Sequence, residues 1–130
     1  AKLVFRTCLQ LLVTVSRAAQ STDETLEALP GVGRKTANIV LNIAFGKPTI
    51  AVDTHVFRVG NRTGLAPGKT PRAVEDALVA CTPKRFQHDA HHWLILHGRY
   101  VCKARKADCP NCVIAKWCEY PHKTAPHDGD

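Results

Sequence analysis

The sequence predicts an all-α fold, a bundle of short helices, and three observations carry that expectation. Apolar residues recur at helical spacing through most of the chain. Residues of the capping type open these windows, and glycine or proline closes them. The one stretch with weak strand-like alternation, "KPTIAVD" at 47–53, is short and has no obvious partner, so it reads as an extended connection.

The elements follow in order. Phe5, Cys8, Leu9, Leu12 and Val15 give Leu3 through Val15 a helical face. Ser21 with Glu24 has the form of a capping box, opening a short helix that stops at Pro30. Arg34 through Phe45 follows, with Ile39, Val40, Ile43 and Ala44 on one face and Gly46 as the stop. Asp53 or Thr54 caps a helix to about Asn61, and "GLAPGKT" is a loop. Thr70 and Pro71 open another helix in the favoured cap and first-turn arrangement, with Val74, Leu78 and Cys81 on its buried side. A last helix from about His88 to Val101 leads into a cysteine-rich loop, and 121–130 looks like a frayed tail.

A chain of 130 residues with 45% hydrophobic content can bury a core as one compact domain or two small lobes. Lys and Arg number 18 against 11 Asp and Glu, and the resulting +7 favours polyanions, nucleic acid first among them. No apolar run approaches the roughly 20 residues a spanning helix needs, and the start shows no secretory signal pattern. No membrane partner is expected, and the compartment reads as reducing. Six cysteines are then better read as ligands or buried thiols than as disulfides. Cys8 and Cys81, at apolar helical positions, read as small buried residues.

"LPGVGRKTA" at 29–37 places Pro30, Gly31, Val32 and Gly33 between two helices. Glycine there permits positive φ and close backbone approach, while the start of the second helix presents unpaired N–H groups and a positive dipole end. Arg34 adds charge, and Val32 packs inward to hold the hairpin shut. Gly31, Val32, Gly33 and Arg34 are therefore candidates for a nucleic-acid backbone contact, one that positions without reading sequence. An ordinary αα-hairpin with glycines that solve a packing problem is the alternative.

Lys35 falls in the first turn of that second helix, where the dipole and Arg34 disfavour a further positive charge and so favour the nucleophilic neutral amine. A nearby carboxylate would act in the opposite sense. Asp53, at a helix start, can accept a proton or stabilise positive charge developing on a sugar ring. A solvated lysine and a carboxylate that merely caps its helix are the plain alternatives.

Cys102, Cys109, Cys112 and Cys118 read C-x6-C-x2-C-x5-C, four soft ligands close enough in sequence to surround one metal centre. Only Cys109 and Cys112 make the short pair that zinc sites usually show twice, so spacing leaves zinc and an iron-sulfur cluster both open. His91, His92 and His97 on the last helix read as structural imidazoles. Between the first two cysteines, Lys103, Arg105 and Lys106 form a basic segment whose ends a metal centre would fix, a pre-shaped phosphate contact.

"LPGVGRKTANIVLNIAFG" followed by "TIAVDTHVFRVGNRTG", and onward through "HHWLILHGRYVC" to the last cysteine, resembles the endonuclease III family of helix-hairpin-helix DNA glycosylases over about residues 26–120. The opening "AKLVFRTCLQLL" resembles the helix that precedes the hairpin in that family. The resemblance implies a bifunctional DNA glycosylase and abasic-site lyase of base-excision repair, acting on oxidised pyrimidines in double-stranded DNA that carries a damaged base or abasic site. Lys35 and Asp53 fall on the family's catalytic lysine and aspartate. Cys102, Cys109, Cys112 and Cys118 fall on the ligands of its 4Fe-4S cluster. Relatives that only excise bases lack a lysine at the equivalent of Lys35.

The resemblance also implies a bacterial, cytoplasmic, nucleoid-associated protein divided into a partial helical domain with the hairpin (1–52, hairpin 30–33), a helical domain with the cluster loop (53–120) and a tail (121–130). Members of the family are longer at the N-terminus, where several helices and much of the base pocket lie. The chain is then either a fragment or a shortened relative that completes its core as a dimer or with another chain. A DNA-binding module that is non-catalytic, or keeps only lyase activity, while retaining hairpin and cluster is the alternative reading.

Overall fold

The protein is described by a computed structural model covering residues 22–125. The expected helix Leu3–Val15, the burial of Cys8 and residues 126–130 of the tail lie outside the described residues. The described residues hold five helices and no strand, as an all-α fold requires. The chain forms two compact units, one reaching Ala51 and the other starting at Val52.

In the first unit, α1 (Asp23–Glu27) is capped by Thr22. Thr22 Oγ1 accepts from Thr25 N at 3.3 Å, and Thr25 Oγ1 accepts from Thr22 N at 3.0 Å. The capping box expected from Ser21 and Glu24 is thus made one residue later, because a threonine at the third helical position closes it as well as a glutamate would. Helix α2 runs Arg34–Phe45 and ends at Gly46, whose φ of 62° is left-handed, so the expected bounds hold.

The buried face of α2 differs from the expected Ile39, Val40, Ile43 and Ala44. Ala37 and Leu41 meet Leu26 of α1, with Leu29, Val32, Val40 and Phe45 packed around them, while Ile43 is 76% exposed and Ala44 is exposed. The apolar arc of α2 is wider than the strip α1 covers, and the tight hairpin decides which strip that is.

Residues 47–53 form neither helix nor strand, as expected of a connection. The start of this segment is tied to α2: Asn42 Nδ2 donates to Lys47 O at 3.3 Å and Thr49 O at 3.1 Å, Lys47 N donates to Leu41 O at 2.9 Å, and Thr49 Oγ1 donates to Asn38 O at 2.6 Å.

The second unit contains α3 (Thr54–Thr63), α4 (Pro71–Cys81) and α5 (Lys84–Tyr100), with α3 packed against both others. Val56, Val59, Ala66, Val74 and Leu78 are its dry centre. Gly98 lets α5 lie close to α3, since a Cβ there would stand 2.9 Å from His55 Cβ. Thr70 caps α4 through Ala73 N at 3.2 Å.

Two expectations need correction here. Cys81 is exposed, not buried, because it is the final residue of α4 and the chain turns at Thr82–Pro83. Helix α5 begins at Lys84, four residues before the expected start, with Pro83 as its cap residue and no side-chain cap. Gln87 supplies the local anchor, donating to Val79 O and Thr82 O at 2.9 Å each. Among the described residues no helix is long and apolar enough to cross a membrane.

Candidate functional site

The hairpin is built by two short-range hydrogen bonds and one backbone requirement. Leu29 N donates to Leu26 O and Val32 N to Leu29 O, each at 3.1 Å. Gly31 has φ 78°, a region that side chains with a Cβ resist. Val32 packs inward as expected.

Gly33 is the cap residue of α2 with φ −94° and ψ 173°, a conformation open to any residue. A Cβ built on it meets nothing within 4 Å. Neither backbone nor packing therefore demands glycine at 33. Its missing side chain leaves the helix start open, with no side-chain cap and no acidic residue in the first turn. Such an end favours anions.

Arg34, expected to add charge toward a phosphate, reaches back across the hairpin to Glu27, with Nη1 3.3 Å from Oε1. It helps close the turn, and its net charge there is shared with a carboxylate. Lys35 is exposed at the second position of α2. Asp53 caps α3, and its Oδ1 accepts from Val56 N at 2.8 Å. Lys35 and Asp53 belong to different units.

The four cysteines gather after α5. Val101 N and Cys102 N both donate to His97 O, at 3.0 and 2.8 Å, which turns the chain out of the helix. Tight turns follow, with Cys112 N on Cys109 O at 3.2 Å and Cys118 N on Ile114 O at 3.1 Å. Cys102, Cys109, Cys112 and Cys118 are free thiols, half-buried, and line one cavity.

Among the described residues no group of three or more His, Cys, Asp or Glu side chains could hold a single metal ion as placed. A polynuclear cluster makes a different demand, because each thiolate binds its own iron and the sulfurs stand further apart than around one ion. Four unpaired thiols ringing one cavity fit that donor set. His97, expected to be structural, is on the same wall: its Nε2 lies 3.9 Å from Cys112 Sγ, and burial lowers its pKa.

Lys103, Arg105 and Lys106 are exposed on the loop between the first two cysteines, as expected. What holds that loop was not apparent from the sequence. Arg58 donates through Nε to Cys102 O at 3.0 Å and through Nη2 to Gly98 O at 2.7 Å. Arg62, one turn later, donates to Lys103 O at 2.7 Å and Ala104 O at 2.8 Å. Thr124 ties the following segment in, donating to Ala107 O at 2.6 Å and accepting from Cys109 N at 3.2 Å. The one available signal was two arginines four apart on one helix.

No protein-family model matches the chain. It is 56% identical over 123 residues to Endonuclease III of Escherichia coli (strain K12), and 54% identical over 123 residues to Endonuclease III of Haemophilus influenzae. Each alignment covers 95% of this chain and 58% of the relative, so the chain spans under two thirds of the length of these proteins. A solved structure of a trapped endonuclease III–DNA covalent intermediate, an estranged-adenine complex, superposes with TM-score 0.78 at 39% identity. That match covers 91% of this chain and 56% of the other. Over the residues it shares with these relatives, the chain is similar to endonuclease III in both sequence and fold.

Proposed function

We propose that the chain carries the chemistry of a base-excision repair enzyme, a bifunctional DNA glycosylase and abasic-site lyase acting on oxidised pyrimidines in duplex DNA. The observation that carries this reading is an exposed lysine, Lys35, in the first turn of a helix opened by a glycine hairpin, within a chain 56% identical over 123 residues to an endonuclease III. Solved DNA complexes of endonuclease III support DNA as the partner. The setting is the bacterial cytoplasm, at the nucleoid.

The damaged nucleotide is turned out of the stack to reach the amine. Lys35 Nζ then attacks C1′ of its deoxyribose; the C1′–N bond breaks, and the base leaves carrying a proton. The C1′–O4′ bond then breaks as the nitrogen lone pair forms the C=N bond and the ring oxygen takes a proton; the resulting imine acidifies C2′. Loss of a C2′ proton expels the 3′ phosphate and nicks the strand on the 3′ side of the lesion. Asp53 helps deprotonate the amine and stabilises positive charge on the sugar ring.

Gly31, Val32, Gly33 and Arg34 form the hairpin contact to the DNA backbone, while Lys103, Arg105 and Lys106 form a second contact on the cysteine loop. Cys102, Cys109, Cys112 and Cys118 hold a 4Fe-4S cluster, which when bound cross-links that loop.

The test is product analysis on two duplexes, one with an oxidised pyrimidine and one with an abasic site. Both should be nicked 3′ to the lesion, the first with release of the free base. Cleavage of the abasic duplex alone would restrict the chain to lyase chemistry. Cleavage of neither by cluster-loaded protein would reduce it to a DNA-binding module.

A further inference from the structure

We propose that Arg62 is a positioning residue that sets the shape of the basic segment Lys103–Lys106 and ties that shape to the thiolate of Cys102. The proposal rests on the reading above for the phosphate contact and the cluster, but the clamp itself stands on geometry. Arg62 lies in the last turn of α3 and reaches the loop with its guanidinium. Nη1 donates to Lys103 O at 2.7 Å and stands 3.7 Å from Cys102 Sγ; Nη2 donates to Ala104 O at 2.8 Å. The Tyr120 ring covers the guanidinium face, with its centroid 4.8 Å from the central carbon.

One side chain therefore touches three consecutive residues at the start of the cysteine loop and a fourth just past the last cysteine. Only a planar fork with several fixed N–H donors can serve two neighbouring carbonyls and a sulfur together. The grip has a further contact from the backbone, where Glu119 N donates to Thr63 O at 3.3 Å. The side chains of Lys103, Arg105 and Lys106 are exposed, while the carbonyls of Lys103 and Ala104 are held from beneath. Fixing the backbone in advance removes the ordering loss that a free basic loop would suffer on meeting DNA. The same Nη1 is within hydrogen-bonding reach of Cys102 Sγ, and hydrogen bonds to cluster sulfurs are among the determinants of reduction potential.

The experiment compares the full chain with Arg62→Lys, which keeps the charge but loses the fork. Trypsin should cut after Lys103, Arg105 or Lys106 on the order of tenfold faster in the variant, with the products identified by mass. Affinity for undamaged duplex should fall about tenfold, with a shallower salt dependence. The midpoint potential of the cluster should move negative, a shift that loss of packing alone does not require.

Equal cleavage rates, or a variant that binds duplex with wild-type affinity and salt dependence, overturn the proposal. If Arg62→Lys does not fold, Tyr120→Leu, which uncovers the guanidinium without altering α3, is read by the same cleavage assay; its expected effect is smaller and in the same direction, and no effect overturns the clamp. If the unaltered chain binds no duplex while cleavage still separates the two proteins, the base-excision reading fails and the clamp stands.

Discussion

The Asp53 carboxylate accepts a hydrogen bond from the Val56 backbone N–H at 2.8 Å, so the proposed catalytic acid is also the cap of α3. The two roles separate by substitution. Asparagine caps about as well as aspartate, whereas alanine costs about 1 kcal/mol. Asp53→Asn should melt near the parent while strand nicking falls on the order of 100-fold, a size typical of acid–base assistance. Asp53→Ala should lose both. A nicking rate that survives Asp53→Asn would leave the carboxylate only its capping role.

The two hairpin glycines should behave differently. Gly31 has φ 78°, so Gly31→Ala forces strain of roughly 1 kcal/mol or more into the fold. Gly33→Ala adds a methyl that meets nothing in a permitted conformation, and stability should change by less than about 0.5 kcal/mol. The same methyl stands at the open helix start. Duplex affinity by fluorescence anisotropy should therefore drop about tenfold, or ~1.4 kcal/mol. Unchanged affinity in Gly33→Ala would remove the hairpin from the DNA contact.

Binding to undamaged duplex should weaken steeply with salt, at close to 0.9 logarithmic units per phosphate contacted. Lys106→Ala should lower the slope by about one contact and weaken all sequences alike. A slope unmoved by the loss of Lys106 would place the phosphates elsewhere.

The cysteine loop should purify brown, with about four irons per chain if the cluster is a single cubane. Cys112→Ser should lose the visible absorbance and most of the iron, and trypsin should then enter the 102–118 loop while far-UV dichroism retains the helices. Colourless protein with one zinc per chain would contradict the assignment.

The parts of this fold that were legible in the sequence are those set by neighbours in the chain. Gly33 and Gly46 bracket α2, Thr70–Pro71 opens α4, and Asp53 caps α3, all from local rules. The start of α5 was hidden because Pro83 replaces the usual cap residue and Gln87 anchors the helix from inside. The buried strip of α2 was hidden because hydrophobicity marks an arc, while the docking of α1 chooses the part that is covered. Within the candidate site, Lys35, Asp53 and the four cysteines were visible as residue types at telling positions. Arg58 and Arg62 were not, since their acceptors are backbone carbonyls some forty residues away, which a count of charges cannot reveal.

The central claim is that Lys35 is the nucleophile, and borohydride reduction in the presence of an abasic duplex reads it directly. The amine–sugar imine should be trapped as a stable protein–DNA adduct, migrating as one band and mapping by mass to Lys35. Lys35→Ala, a change at an exposed side chain, should fold as the parent does and give no adduct. An adduct that persists in Lys35→Ala, or none from intact, cluster-loaded protein, would contradict the account.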